Sequence, residues 1–388
     1  MKKNLVLIDS FRLVDQKKLN VCLGFWCLND KKIKSLHEKK IKKLIVNDYH
    51  WENLKKLKKD IKIIEGFYSK FLKDISTRLN NYHNVKNPIS YWETILGYWL
   101  KNLILFSYDR WSQYKYALKI NNIGNINTFS LDDISFVVDD TLSFNFLIRK
   151  KNWNIWILTK ISLFLDKKKV KKFKNIIDAG KIIQLNNKQN TYLDFINKRI
   201  LKKSILEKQL IISNLYLPLK EKIKIALFFD KSLTKINFKY FKFRKINLYH
   251  RKRIFERKSK KKDFESFFYS ILPYTIPKSF LENYKEIINS ENFRNLPKNP
   301  KLMLTSHDHI INDFFKIYCA EKKKISKTKL VIFQHGGNNQ LHNEQINEKL
   351  EDKIADKFFS WGWQNKKFKN IVPFYNFKIV NKNIIKKK

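Results

Sequence analysis

The chain has 388 residues, of which 43% are hydrophobic and 15% aromatic, enough to bury the core of one large domain or two ordinary ones. It carries 81 Lys and Arg against 35 Asp and Glu, a formal net charge of +46. No zinc-finger spacing or RNP-like aromatic motif accompanies this charge, which argues against nucleic acid as a partner. We interpret it mainly as a compositional drift toward Lys, Asn, Ile and Phe, and leave open a peripheral contact with an anionic membrane.

Signals for export or membrane insertion are weak. The first apolar run, Leu5–Ile8, has four residues, too short for a signal-peptide core. Ile89–Leu105 and Trp153–Leu165 are interrupted by charged residues and lack the roughly 20 apolar residues that a membrane span needs. The three cysteines fit reduced thiols better than a disulfide framework. We therefore expect a cytoplasmic protein, with the inner face of the membrane as a further option.

The N-terminal part of the chain predicts strands followed by long helices. Short apolar runs indicate strands at residues 4–8, 21–25 and 43–46. Helical spacing follows at residues 51–80 and, after a proline, at 89–118.

The helix predicted at 89–118 carries the strongest apolar stripe of the chain. Trp92, Ile95, Leu96, Trp99 and Leu103 follow each other at intervals of three and four residues. Core packing is the favoured interpretation of this stripe, so these side chains should be buried. A further helical run is predicted at 142–165, and the Lys-rich section 166–265 is poorly readable.

The C-terminal part predicts a parallel sheet. A strand at 302–305, a helix at 310–321 and a strand at 330–333 make a βαβ unit. Further strands are predicted at 357–361 and 371–373. We expect an α/β protein with a Rossmann-like, mainly parallel sheet flanked by helices.

Several common chemistries are not indicated. The eight glycines form neither G-x-G-x-x-G nor a P-loop, and there is no G-x-S-x-G elbow or H-E-x-x-H helix. The absence of D-x-D argues against a metal-held nucleotide diphosphate, and we predict no metal site.

The apolar run at 330–333 leads directly into Gln334, His335, Gly336 and Gly337. Open α/β sheets bind ligands at the carboxyl ends of their strands, and adjacent glycines let a ligand approach the backbone. An imidazole that titrates near neutral pH suits His335 to act as a base or to orient a hydroxyl. The alternative is a tight turn with a hydrogen-bonded histidine.

A second polar loop follows the strand at 302–305. Ser306, His307 and His309 precede a helix, and their donors could contact an anionic ligand group. The alternative is an N-cap in which Ser306 or Asp308 satisfies backbone N–H groups. A metal shared by the two histidines is disfavoured without a third ligand. The βαβ spacing predicts that this loop and the loop at His335 share one sheet edge.

Two further places are candidates for substrate contact. Trp363 belongs to a Trp-Gly-Trp segment that alternates faces if extended, so one ring can line a cleft. Asp109 and Arg110 place a carboxylate and a guanidinium together, where a structural ion pair is favoured over ligand contact.

Five segments occur in an order that carries a family resemblance. They are Leu23–Leu28, Ile89–Leu100, Tyr108–Arg110, Gln334–Gly337 and Asp356–Trp363. In this combination the chain resembles a bacterial family of transferases of surface-carbohydrate biosynthesis, of the lipopolysaccharide and capsule type. That family is similar to the two-domain GT-B glycosyltransferases. The resemblance covers the first 165 residues and residues 301–375 well and the middle poorly.

The resemblance implies a function. A sugar or related group would move from a nucleotide-activated donor, which is a substrate and not a tightly bound cofactor, to a glycan or lipid-linked acceptor. The loop at 334–337 would face the cleft between two Rossmann-like domains, as in GT-B enzymes.

The resemblance also implies a division of the chain. Because only 25 residues follow Trp363, we expect residues 1–375 to form the acceptor-side domain and residues 376–388 to be a basic tail that starts a missing second domain. A separately encoded donor domain would then be a partner, and the chain alone would show no appreciable turnover. The alternative is a non-catalytic binding or scaffold remnant of such an enzyme.

Overall fold

The computed structural model describes residues 2–38, 44–180, 209–217, 221, 224, 243–257, 259–336, 348–364 and 369–376. Within these residues the strands form two sheets of five strands each, and every pairing is parallel. The predicted Rossmann-like α/β fold is therefore confirmed, with its strands divided between two sheets.

The first sheet has the strand order β3-β2-β1-β4-β5. Its strands are β1 Lys3–Val6, β2 Asn20–Cys22, β3 Leu44–Val46, β4 Ile123–Leu131 and β5 Val170–Ile177. The central strand β1 pairs with β2 on one side and with β4 on the other. Leu5 lies opposite Val21 of β2 and Ile126 of β4. The strand order reverses between β1 and β4, as in dinucleotide-binding folds.

The second sheet has the order β10-β9-β8-β7-β6. Its strands are β6 Leu210–Ser213, β7 Leu302–Thr305, β8 Lys329–Phe333, β9 Lys357–Trp361 and β10 Ile371–Phe374. The pairing of β7 with β8 confirms the predicted βαβ unit.

The helices cover both sheets. In chain order they are α1 Lys31–Glu38, α2 Leu54–His83, α3 Ile89–Ile120, α4 Thr141–Leu147, α5 Lys151–Asp166, α6 Leu248–Phe255, α7 Phe264–Thr275, α8 Tyr284–Asn289, α9 Glu291–Arg294, α10 Asp308–Ile311, α11 Asp313–Ser326 and α12 Glu348–Ile354. None in the described part of the chain is long and apolar enough to cross a membrane.

Two predicted helices are each divided by a capping residue. The run at 142–165 is interrupted because α4 ends at Leu147, and the extended backbone of Lys150 (φ −80°, ψ 149°) then caps the start of α5. The run at 310–321 is interrupted at Asn312, whose side chain accepts the backbone N–H of Phe315 at 2.8 Å and so begins α11. Apolar periodicity continues across both breaks, so the pattern alone does not show them.

Helix α3 lies in the hydrophobic core. Trp92, Ile95, Leu96, Trp99 and Leu103 are each 0% exposed, which confirms the predicted stripe. One cluster of buried hydrophobic side chains includes residues of both sheets and of α3. The division at residue 375 stays a prediction, and residues 377–388 lie outside the described part of the chain.

Candidate functional site

Three histidines meet at the carboxyl edge of the second sheet. His307 and His309 follow β7, and His335 follows the neighbouring β8. The rings of His307 and His335 have centroids 5.3 Å apart, and those of His309 and His335 are 6.5 Å apart. The prediction that both loops share one sheet edge is confirmed. Gly337 lies outside the described residues.

The loop after β7 is held by side chains around Asp308. Thr305 Oγ1 accepts the backbone N–H groups of His307 at 3.2 Å and Asp308 at 3.0 Å. The carboxylate of Asp308 accepts from the hydroxyl of Ser213 and, at 3.0 Å, from Asn214 Nδ2. Thr305 thus makes the backbone contacts that the capping alternative had given to Ser306 or Asp308. The loop is fixed from the end of β6.

Ser306 is 0% exposed, and its hydroxyl has no hydrogen-bond partner among the described residues. A buried polar group left without a partner costs about 1–3 kcal/mol. The Nδ1 atom of His309 is also buried and has no hydrogen-bond partner among the described residues. Buried groups of this kind are usually satisfied by a hydrogen bond, to the protein or to an ordered water.

His309 forms a buried pair with Glu351 of α12. Its Nε2 lies 2.9 Å from Glu351 Oε1, and the two side chains are 1% and 5% exposed. Tyr98 of α3 packs edge-on against the His309 ring, with centroids 5.5 Å apart. Burial, and next the charge of Glu351, raise the pKa of Tyr98 well above its ordinary value, so its phenol stays protonated.

A glycine allows α12 to approach α3 closely. A Cβ atom built on Gly97 would lie 2.8 Å from both terminal carbons of Leu350 and 3.2 Å from the Tyr68 hydroxyl. Leu350 immediately precedes Glu351, so the position of the carboxylate depends on this approach. Sequence reasoning identified the motif around Gly97 but not its role, and it missed both Tyr98 and Glu351 as site residues.

Gln334 connects the loops after β8 and β9. Its Oε1 accepts from the backbone N–H of Trp361 at 2.7 Å and from Trp363 Nε1 at 2.8 Å. Its Nε2 donates to the carbonyl of Gly336 at 2.6 Å. These bonds give Gln334 and Trp363 a structural role beside His335. Their predicted contact with substrate stays a prediction.

Asp109 and Arg110 lie in a different cluster, at the carboxyl edge of the first sheet. Asp109 forms an ion pair with Arg110 and accepts from the hydroxyl of Tyr49 at 2.8 Å. Its Oδ1 is also 2.9 Å from His50 Nε2. Burial, with the nearby charge of Lys56, lowers the pKa of His50 to about 4. His50 is therefore neutral at pH 7.

The charges of this cluster cancel. Lys56 forms an ion pair with Asp60, and Arg110 forms one with Asp109, while the histidine between them is neutral. Tyr98 and Asp109 are eleven residues apart on α3, about 16 Å along the helix axis. The structure therefore separates Asp109 and Arg110 from the three histidines, and the ion pair that the sequence favoured is present. Their substrate contact remains a prediction.

A buried ion pair within α11 is hydrogen-bonded to Thr141 at the start of α4. Lys316 Nζ lies 2.7 Å from Asp313 Oδ1 and 2.9 Å from Thr141 Oγ1. Asp313 Oδ2 accepts from the backbone N–H of Thr141 at 2.9 Å and from the Ser279 hydroxyl at 2.5 Å. Burial lowers the pKa of Lys316, whereas Asp313 opposes that shift. Sequence reasoning gave no sign of this contact.

A metal centre is not formed by the described residues, since no three His, Cys, Asp or Glu side chains among them are arranged to hold an ion. A search of curated proteins and a search of solved structures each gave no match. A family model described as LIC12162 family transferase matches residues 3–388. The chain therefore belongs to this family of transferases.

Proposed function

We propose that the chain transfers a sugar or related activated group from a nucleotide donor to a hydroxyl of a surface glycan or lipid-linked acceptor. Membership of a transferase family supports the reaction class. The observation that carries the proposal is the meeting of three imidazoles, those of His307, His309 and His335, at the carboxyl edge of a parallel sheet. This edge is where such sheets bind their ligands.

In this proposal His335 takes the proton of the acceptor hydroxyl or orients that hydroxyl. Its side chain is half-buried, unlike that of His309, so a substrate can reach it. In the same proposal the backbone of Gly336 contacts the transferred sugar or a phosphate. Nothing within 4 Å would meet a Cβ atom at Gly336, which leaves space for close approach.

The GT-B resemblance requires two halves, one for the donor and one for the acceptor. Two separate parallel sheets support it, and the second sheet is a candidate for one half. A separately encoded donor domain is the alternative for the same role. We place the reaction in the cytoplasm, at the inner face of the membrane, where a lipid-linked acceptor would be presented.

A donor panel tests the proposal. The purified chain is incubated with nucleotide-activated sugars and with glycan and lipid-linked acceptors, and released nucleotide is measured. Turnover should fall about 100-fold or more in His335→Asn, the loss expected for a general base. His37→Asn, at an exposed histidine of α1, is the matched control and should keep full activity.

The other outcomes separate the alternatives. Turnover that is equal in wild type and His335→Asn would contradict the role of His335. Donor binding without turnover, restored by a second protein, would support a separate donor domain. Acceptor binding with no turnover under any condition would favour the non-catalytic binding protein.

A further inference from the structure

The pair formed by Glu351 and His309 has a fixed proton arrangement. A carboxylate only accepts hydrogen bonds, so the 2.9 Å contact requires a proton on Nε2 of His309. The His309 ring then meets His335 edge-on, at an interplanar angle of 75°. His309 thus contacts the carboxylate of Glu351 through Nε2 and the ring of His335, the predicted base, through its edge.

The charge of Glu351 acts on His335. Burial by itself would raise the pKa of Glu351, but the hydrogen bond and charge of His309, together with the charge of His335, lower it below its ordinary value. An interaction between two charges is mutual. The carboxylate therefore favours the protonated form of His335.

Other titratable groups lie beside His307, His309 or Tyr98 in the described part of the chain. They are His307, Asp308, Tyr216, Tyr98 and Asp352. The carboxylate of Asp308 is already engaged by Ser213 and Asn214. Burial raises the pKa of both tyrosines, so they are uncharged at neutral pH.

We propose that Glu351, held by His309, is a positioning residue that stabilises His335 as an imidazolium during transfer. The inference rests on the proposed function of His335. In that step the acceptor O–H bond breaks and its proton moves to His335, while the acceptor oxygen bonds to the sugar carbon. The bond from that carbon to the nucleotide phosphate breaks, and the electron pair leaves with the phosphate.

An NMR titration of the histidine rings tests the inference without any substrate. Glu351→Gln removes the charge but keeps an oxygen that can accept from His309. The protonation midpoint of His335, assigned with His335→Asn, should fall by about one pH unit, the size of effect that one close charge produces. Glu321→Gln is the matched control, because Glu321 of α11 accepts from the hydroxyl of Tyr91 of α3. An unchanged midpoint in Glu351→Gln, or an equal fall in Glu321→Gln, would overturn the inference.

A second variant covers the case in which Glu351→Gln does not fold. His309→Gln leaves the carboxylate in place, so the midpoint of His335 should stay where it is or rise. A fall would show that the hydrogen bond, and not the charge, supports His335, and would overturn the inference.

The pH profile of kcat gives a further test, because a purely structural role of Glu351 would not shift it. In Glu351→Gln the acidic limb of the kcat profile should shift to lower pH with the NMR midpoint, and KM should stay constant. Glu351→Asp, which restores the charge, should return the limb toward its original position. A limb that does not move while the NMR midpoint does would refute the positioning role. If no donor supports turnover, the proposed function fails, while the NMR titration still decides whether Glu351 acts on His335.

Discussion

Two glycines in helix interiors should respond in opposite ways to the same substitution. Gly66 lies in α2 and Gly97 in α3. Alanine stabilises a helix interior by about 1 kcal/mol relative to glycine. Nothing lies within 4 Å of a Cβ atom built on Gly66, so Gly66→Ala should realise most of this gain.

At Gly97 the same methyl group would overlap its neighbours. It would lie 2.8 Å from the two terminal carbons of Leu350, a side chain that is 0% exposed and cannot turn into solvent. Overpacking of this kind costs about 1–3 kcal/mol. After the helix gain is subtracted, Gly97→Ala should be destabilised by about 1 kcal/mol, with Gly66→Ala about 2 kcal/mol more stable than it.

Urea unfolding measures this difference, provided that the slope m is the same in the two variants. A double-mutant cycle with Leu350→Ala then identifies the cause. In that background the two closest contacts, at 2.8 Å, are gone, so Gly97→Ala should become stabilising, with a coupling of about 2 kcal/mol. If Gly97→Ala is as stable as Gly66→Ala in the wild-type background, α12 does not depend on Gly97 for its approach, and the reasoning fails.

Three further predictions follow from buried groups. Trp99→Ala should cost about 3–5 kcal/mol, since the ring is fully buried and its Nε1 donates to the Thr275 carbonyl at 3.1 Å; an unchanged melting curve would show that the stripe is exposed. Lys316→Met should cost about 3–5 kcal/mol because it leaves the Asp313 charge buried without its cation, and a joint change of both residues to apolar ones should recover part of the loss in urea unfolding. Burial lowers the pKa of His83 to about 4, so its contribution to stability is complete above pH 6.5 and is lost as the pH falls from there toward 4; His83→Gln should flatten this part of the stability curve, and an unchanged slope would contradict it.

The strands that could be predicted are those whose own residues are mostly apolar. Residues 302–305, 329–333 and 357–361 were located almost to the residue, because strands of a parallel sheet are buried on both faces. Residues 123–131 were missed. Their sequence, Ile-Gly-Asn-Ile-Asn-Thr-Phe-Ser-Leu, resembles a loop in isolation, and only pairing with β1 and β5 makes it a strand.

The candidate site, too, could be predicted from the sequence only in part. Its histidines follow adjacent strands of one βαβ unit, so the sequence alone predicts that they meet. Glu351 is 42 residues from His309 and reaches it only because α12 packs on α3 at Gly97. No local pattern records that packing, and the segment 348–353 is otherwise a run of charged residues typical of an exposed helix. The number of sheets could not be predicted from the sequence either, because apolar runs predict strands but not which strands pair.

Helix α3 relates the two polar clusters to each other. Tyr98 contacts His309 at the edge of the second sheet, and Asp109 contacts His50 at the edge of the first. Eleven residues are close to three full helical turns, so both side chains leave the same face of α3, about 16 Å apart. Between them the interior of the helix carries only buried or half-buried side chains, with no proline or cap that would let it bend. The spacing between the carboxyl edges of the two sheets is therefore set by one rigid element. A ligand that contacts both clusters therefore has to span about 16 Å.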